Sequence, residues 1–169
     1  MNKTLPDAEE LLGRLAERMR ASVTPDTALI GIHTGGVWLA QRLHKALKLT
    51  QPLGTIDVSF YRDDYGSRGL HQKVRPSDIP FDVADADIIL VDDVLHTGRT
   101  IRAAMNELFD YGRPLSIRLA ALIDRGGRQL PIAAQFVGTE VSVADGEQIE
   151  LKKNEQGQLS LVLNRQAPA

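Results

Sequence analysis

Residues 88 to 100 read Ile-Ile-Leu-Val-Asp-Asp-Val-Leu-His-Thr-Gly-Arg-Thr: an apolar run, a carboxylate pair, then a small, hydroxyl-bearing turn ahead of a helical pattern. A buried strand of this kind ends at Asp92 and Asp93, whose oxygens can accept hydrogen bonds from the two hydroxyls of a ribose. Val94, Leu95, His96, Thr97, Gly98, Arg99 and Thr100 lead into a helix whose first-turn N–H groups and positive dipole end attract a phosphate. One turn can therefore grip a ribose 5-phosphate at both ends. A bare Asp-Asp before a helix is also ordinary strand and N-cap punctuation, so the reading rests on the whole run and its surroundings.

Three further segments carry chemistry. Thr34, Gly35 and Gly36 follow an apolar strand, where glycine lets backbone N–H groups come close to an anion such as a diphosphate; a plain strand-to-helix turn would read the same way. Tyr61 to Pro80 is a long polar stretch without periodicity that includes Arg62, Asp63, Asp64, Arg68, Lys73 and Arg75. Four cations on a flexible loop suit a lid closing over an anionic leaving group, with Arg62 the first to mutate; a solvated loop of mixed charge is the bland alternative. Asp124 and Arg125 open the turn Asp124-Arg125-Gly126-Gly127-Arg128, placed to flank a base or a diphosphate, or to be only a surface turn with an arginine pair. His33 and His96 adjoin the anion sites and equally suit polar strand ends.

The elements that must position these residues alternate between strand and helix, the pattern of a parallel α/β sheet. Asp7 to Ala21 has Leu11, Leu12, Leu15 and Met19 at helical spacing. Thr27 to His33 reads as a buried strand, Gly35 to Leu47 as the helix after it, and Leu53 to Phe60 as a second strand. The apolar strand ending at Asp92 and Asp93 comes next, then a helix from Thr100 to Tyr111, closed by Gly112 with Pro114 beyond. Leu115 to Asp124 and Ala133 to Val137 read as the last strands of the sheet. Ile149 to Lys152 and Leu159 to Leu163 form a hairpin around Asn154-Glu155-Gln156-Gly157. The expectation is one domain over 1–169, with a core over 7–143 and the hairpin over 148–163.

With 169 residues, 43% of them hydrophobic, the chain can bury a substantial core. Twenty basic against twenty-two acidic residues give a net charge of −2, so no global field recruits nucleic acid, and an RNA site would have to be a local patch. The absence of cysteine excludes disulfides, thiolate metal sites and a cysteine nucleophile. Asp7, Glu9, Glu10 and Glu17 among the first residues exclude a signal peptide or a membrane span there, so a cytoplasmic location without membrane attachment is expected.

Taken in order, Tyr61-Arg62-Asp63-Asp64, Ser77-Asp78-Ile79-Pro80, Val91 to Thr100, Gly112-Arg113-Pro114 and Asp124 to Pro131 resemble the PyrR family of bifunctional pyrimidine-operon regulators and uracil phosphoribosyltransferases. The run from Ile88 to Thr100 resembles the phosphoribosyl pyrophosphate (PRPP) signature of the type I phosphoribosyltransferases. The likeness spans residues 7 to 143 and fades from 144. It implies a type I phosphoribosyltransferase fold: an open, mainly parallel five-stranded sheet flanked by helices, a long flexible catalytic loop and a small C-terminal hood.

The resemblance implies that Asp92 and Asp93 hold the ribose hydroxyls, Val94 to Thr100 the 5-phosphate, and Thr34 to Gly36 the diphosphate in a loop that often contains a non-proline cis peptide. Arg62 to Arg75 would be the catalytic loop. Gly138 to Val143 and the hairpin would supply the hood, with Asp124, Arg125, Val141 and Val143 around the base. The implied reaction joins uracil to PRPP, giving UMP and diphosphate. Mg²⁺ would be held through PRPP oxygens and water, with Asp92 and Asp93 nearest, rather than in a protein cage. A homodimer or larger assembly is implied, as is binding of a pyrimidine-operon leader RNA. Arg14, Arg18 and Arg20 lie on the first helix, but Thr139 to Glu147, where RNA-binding members commonly carry lysine or arginine, has none. Two other functions stay open on the residues: a UMP- and PRPP-sensing regulator with little or no catalysis, and a transferase for a purine base.

Overall fold

The computed structural model describes residues 4–58 and 77–165. Helix α1 (Ala8–Arg20) starts where the Asp7 carboxylate accepts the Glu10 N–H at 2.9 Å, and buries Leu11, Leu12, Leu15 and Met19. Strand β1 (Ala28–Ile32), helix α2 (Gly35–Ala46) and strand β2 (Gly54–Ile56) follow, then β3 (Asp87–Leu95), α3 (Arg99–Tyr111), β4 (Ser116–Asp124) and β5 (Phe136–Glu140). The five strands form one sheet in the order β2-β1-β3-β4-β5, every pairing parallel. Strands β6 (Glu147–Lys153) and β7 (Leu159–Arg165) pair antiparallel as a separate hairpin.

Both faces of the sheet are covered, which is why its central strands are apolar without interruption. Leu29, Ile89 and Val91 face α1, α2 and the hairpin residues Ile149, Leu151 and Leu159. Ile30, Ile88 and Leu90 face Ile101, Ala104 and Leu108 of α3. Glu9 ties three elements together on the first face: its carboxylate accepts Arg42 Nη1 at 3.2 Å, Arg42 Nη2 at 2.5 Å and the Leu159 N–H at 2.9 Å.

Three boundaries differ from the sequence reading. The strand expected to end at Asp92 and Asp93 runs on to Leu95, because β4 continues to pair with it through Val94↔Ile123 and Leu95↔Asp124. The strand expected over Leu53 to Phe60 is only Gly54–Ile56, since its partner β1 ends at Ile32; residues 59 and 60 lie outside the described residues. The last strand is shifted from Ala133–Val137 to Phe136–Glu140. Gln135 fixes that start, its N–H donating to Leu119 O at 2.9 Å and its side-chain oxygen accepting the Leu119 N–H at 2.8 Å. Gly138, expected at the start of the hood stretch, is therefore a strand residue. The end of the long polar stretch is also ordered against the sheet: Asp78 exchanges backbone hydrogen bonds with Thr55 at 2.7 and 2.9 Å.

Candidate active site

Parallel strands deliver their carboxyl ends and the following helix starts to one edge of the sheet, where ligands bind in open α/β folds. Here that edge gathers the turns after β1, β3 and β4. The His33–Thr34 peptide after β1 is cis, and the His33 N–H donates to Ile56 O at 2.9 Å. Gly35 lies directly beneath Asp93: a Cβ built on Gly35 would sit 2.9 Å from Asp93 Cγ, so only glycine leaves the carboxylate in place. Gly36 packs as closely on β3, where a Cβ would stand 3.1 Å from Asp92 Cα. The Thr34-Gly35-Gly36 loop and the aspartate pair thus form one structure.

Asp92 is buried and Asp93 half-buried. Asp92 Oδ1 accepts the Asp93 N–H at 2.9 Å, and Asp93 Oδ1 accepts the Val94 N–H at 2.8 Å. These short backbone bonds fix each carboxylate against its own chain. Beyond them the chain turns at Gly98 (φ 96°), a left-handed conformation that suits glycine, and enters α3 with no side-chain cap from that residue. Thr97 is buried, and its Oγ1 accepts the Arg99 N–H at 3.2 Å. Val94 packs into the core beside the hairpin, so within the Val94 to Thr100 stretch it has a structural position.

The turn after β4 lies behind this cradle. Asp124 is ion-paired to Arg128 at 2.7 Å, and its other oxygen accepts the Gly126 N–H at 2.9 Å. A recess of about 190 Å³ opens beside the pair, lined by Arg125, Gly126, Glu140, Val141 and Ser142 as well as by Asp124 and Arg128. Val143 packs instead against the core under the hairpin. The sequence reading left Arg128 and Gln129 out of the site, and it held Glu140 and Ser142 only within the Gly138 to Val143 hood stretch. The Asp124-to-Arg128 spacing around two glycines was the available signal for the ion pair. Gln129 accepts Arg99 Nε at 3.0 Å, a contact between separate turns that no local pattern announces.

Arg62, Asp63, Asp64, Arg68, Lys73 and Arg75 lie outside the described residues. Among the described residues no group of three or more histidines and carboxylates could by itself hold a metal ion. No described helix is long and apolar enough to cross a membrane.

A five-stranded parallel sheet with a carboxylate pair and a glycine-opened helix start at its carboxyl edge is the arrangement of a phosphoribosyl transferase domain, and the model of that domain family matches residues 3–152. Solved structures of the same shape include a hypoxanthine phosphoribosyltransferase from Trypanosoma cruzi (TM-score 0.65, 23% identity, 85% of this chain and 80% of that one). A hypoxanthine-guanine phosphoribosyltransferase from Bacillus anthracis is similar (TM-score 0.66, 20% identity, 83% and 85%). At these identities the likeness is one of fold. Sequence relatives are nearer: "Bifunctional protein PyrR" of Pseudomonas savastanoi pv. phaseolicola is 51% identical over 152 residues, 88% of this chain and 89% of that one. The protein of the same name from Nitrosococcus oceani is 54% identical over 139 residues, 81% and 78%. The chain belongs to the PyrR family.

Proposed function

We propose that the protein transfers the phosphoribosyl group of PRPP to uracil, giving UMP and diphosphate, and that it senses UMP as a regulator of pyrimidine biosynthesis genes. The observation that supports the enzymatic reading is the seating of the Asp93 carboxylate over Gly35, which joins the aspartate pair and the Thr34 to Gly36 loop in one cradle. Breaking the anomeric C–O bond leaves positive charge on the ribose and negative charge on the departing diphosphate. No covalent nucleophile is required. Asp92 and Asp93 fix the ribose through its hydroxyls, the turn from Val94 to Thr100 anchors the 5-phosphate, and backbone donors of the Thr34 to Gly36 loop meet the diphosphate. The recess beside Arg125, Val141 and Ser142 orients the base, and the cations between Arg62 and Arg75, which lie outside the described residues, would supply positive charge for the leaving group.

The donor set suits Mg²⁺: two carboxylates with oxygen ligands otherwise from substrate and water match its preference. Asp92 and Asp93 would hold the ion, which supplies charge neutralisation at the PRPP oxygens. Diphosphate release from PRPP, measured with uracil, orotate, hypoxanthine, guanine and adenine in turn, tests the reading. Uracil should be the preferred acceptor. A purine preference would move the assignment to a salvage enzyme for another base, and no release with any base would leave only the sensing role.

The regulatory half rests on the bifunctional relatives. Thr139 to Glu147 carries no lysine or arginine, so leader RNA would meet Arg14, Arg18 and Arg20, although Arg14 and Arg20 are engaged with Glu10 and Glu17 and Arg18 with the carbonyls of Val137 and Gly138. A gel-shift titration at fixed salt, with and without UMP, should give UMP-dependent binding if that role is retained. We assign the working form to a homodimer or larger assembly, which size-exclusion chromatography with light scattering checks.

A further inference from the structure

The Arg128 guanidinium spends donors on three separate segments. Nη1 donates to His96 O at 2.6 Å, Nη2 to Asp124 Oδ2 at 2.7 Å and Nε to Ile132 O at 2.9 Å. Its planar fork fixes the direction of all three bonds at once, which a lysine cannot do. Successive carbonyls of the phosphate turn face this same segment: Leu95 O accepts the Arg125 N–H at 3.0 Å, and Thr97 O accepts the N–H groups of Gln129 and Leu130 at 2.9 and 3.2 Å. In a planar trans peptide the C=O and the following N–H point in opposite directions. Turning the carbonyls of Leu95, His96 and Thr97 toward residues 125–130 therefore turns the N–H groups of His96, Thr97 and Gly98 away from it. The His96 carbonyl is held by the Arg128 side chain.

We propose that Arg128, steadied by Asp124, is a positioning residue that aims the Thr97 N–H at the 5-phosphate by holding the His96 carbonyl from behind. The inference rests on the function proposed above; Arg128 also lines the recess assigned to the base, and the role argued here is the one it exerts through the His96 carbonyl. Gly127 supports the arrangement, since at φ 77° it lies against the His96 ring, where a Cβ would come within 2.9 Å of Cδ2 and Nε2.

The test is a set of affinities for ribose 5-phosphate, UMP and uridine, by calorimetry, on the wild type, Arg128→Gln and Arg128→Lys, with KM for PRPP, kcat and the melting temperature beside them. Loss of one oriented hydrogen bond should weaken ribose 5-phosphate and UMP by roughly tenfold in Arg128→Gln. Uridine, which has no phosphate, should stay within about twofold, and KM for PRPP should rise more than kcat falls. Arg128→Lys, which keeps the charge but loses the fork, should fall between the other two proteins and serves alone if the glutamine variant does not fold. Unchanged ribose 5-phosphate affinity in a folded variant overturns the proposal. Equal weakening of all three ligands also overturns it, because that is general loosening rather than aim. A wild type that binds neither UMP nor ribose 5-phosphate overturns the transferase reading itself, and this inference with it.

Discussion

Strand β3 carries Asp87 at its amino end and the Asp92–Asp93 pair toward its carboxyl end, and Asp87 and Asp93 are used in opposite ways. At the amino end Asp87 is consumed by the fold: Thr27 Oγ1 donates to it at 3.1 Å, Ser116 Oγ at 2.7 Å, and Arg118 Nη2 at 3.3 and 3.0 Å. Arg118 in turn donates to Ser22 O at 2.9 Å and lies over the Phe136 ring. These partners come from segments that no ligand has to enter. At the carboxyl end Asp93 receives the backbone N–H of its neighbour and hangs over a glycine loop. The same side chain is a structural knot where the chain closes around it, and a candidate binding group where parallel topology brings helix starts together. What separates the two is the direction of the strand, since only its carboxyl end faces the helix starts that attract anions.

The contrast is broken most strongly at the open end. Asp93→Asn keeps the shape but removes the charge and replaces an acceptor with a donor, so kcat/KM for PRPP should fall by about 100-fold or more, roughly 2.7 kcal/mol of transition-state stabilisation. The melting temperature should hardly change. A folded Asp93→Asn protein of full activity would remove the carboxylate from the site. The converse experiment is Asp87→Asn, which leaves Arg118 half-buried without its ion-pair partner. It should cost about 2 kcal/mol of stability, a fall in Tm of roughly 4–8 °C for a chain of this size, while KM for PRPP stays unchanged. A rise in KM without loss of stability would reverse the roles assigned to the two ends.

The carboxyl end was legible in the sequence because its chemistry is local. Val91 to Thr100 is contiguous, and the structure keeps the carboxylate pair, the turn and the helix start in the order the residues suggest. The cradle's floor was also readable, since Gly35 and Gly36 are explained by close approach, although nothing in the sequence says that the carboxylate above Gly35 is Asp93. The amino-end knot was not anticipated: Thr27, Asp87, Ser116 and Arg118 are unremarkable one by one, and only sheet register brings them together. Arg128 was hidden for the same reason, as its acceptors on His96 and Ile132 are set by tertiary folding. The shifted β5 was a failure of periodicity, because the largely apolar Ala133 to Val137 overlaps Phe136 to Glu140, which is apolar only at its start. The choice fell to Gln135, a polar residue that completes hydrogen bonds on Leu119.

A third acidic residue sharpens the comparison at the smallest scale. Glu9 belongs to neither end of the sheet, yet it joins α1, Arg42 of α2 and the first residue of β7. The hydrogen bond from Arg42 holds its carboxyl below the usual carboxylate value, against the opposing effect of partial burial. Because the folded pKa is the lower one, the charge on Glu9 stabilises the fold fully above the unfolded carboxylate value, and that contribution is lost as pH falls through the folded value. The pair is well exposed, with 46% and 36% of the two side chains accessible, so its weight is that of a surface ion pair. Glu9→Gln, which keeps an acceptor for the Leu159 N–H, should therefore cost less than about 1 kcal/mol at pH 7. The difference in Tm between Glu9→Gln and the wild type should shrink below about pH 4 and vanish in stronger acid. A difference that persists there would mean that packing of the side chain, rather than its charge, holds the hairpin against the first helix.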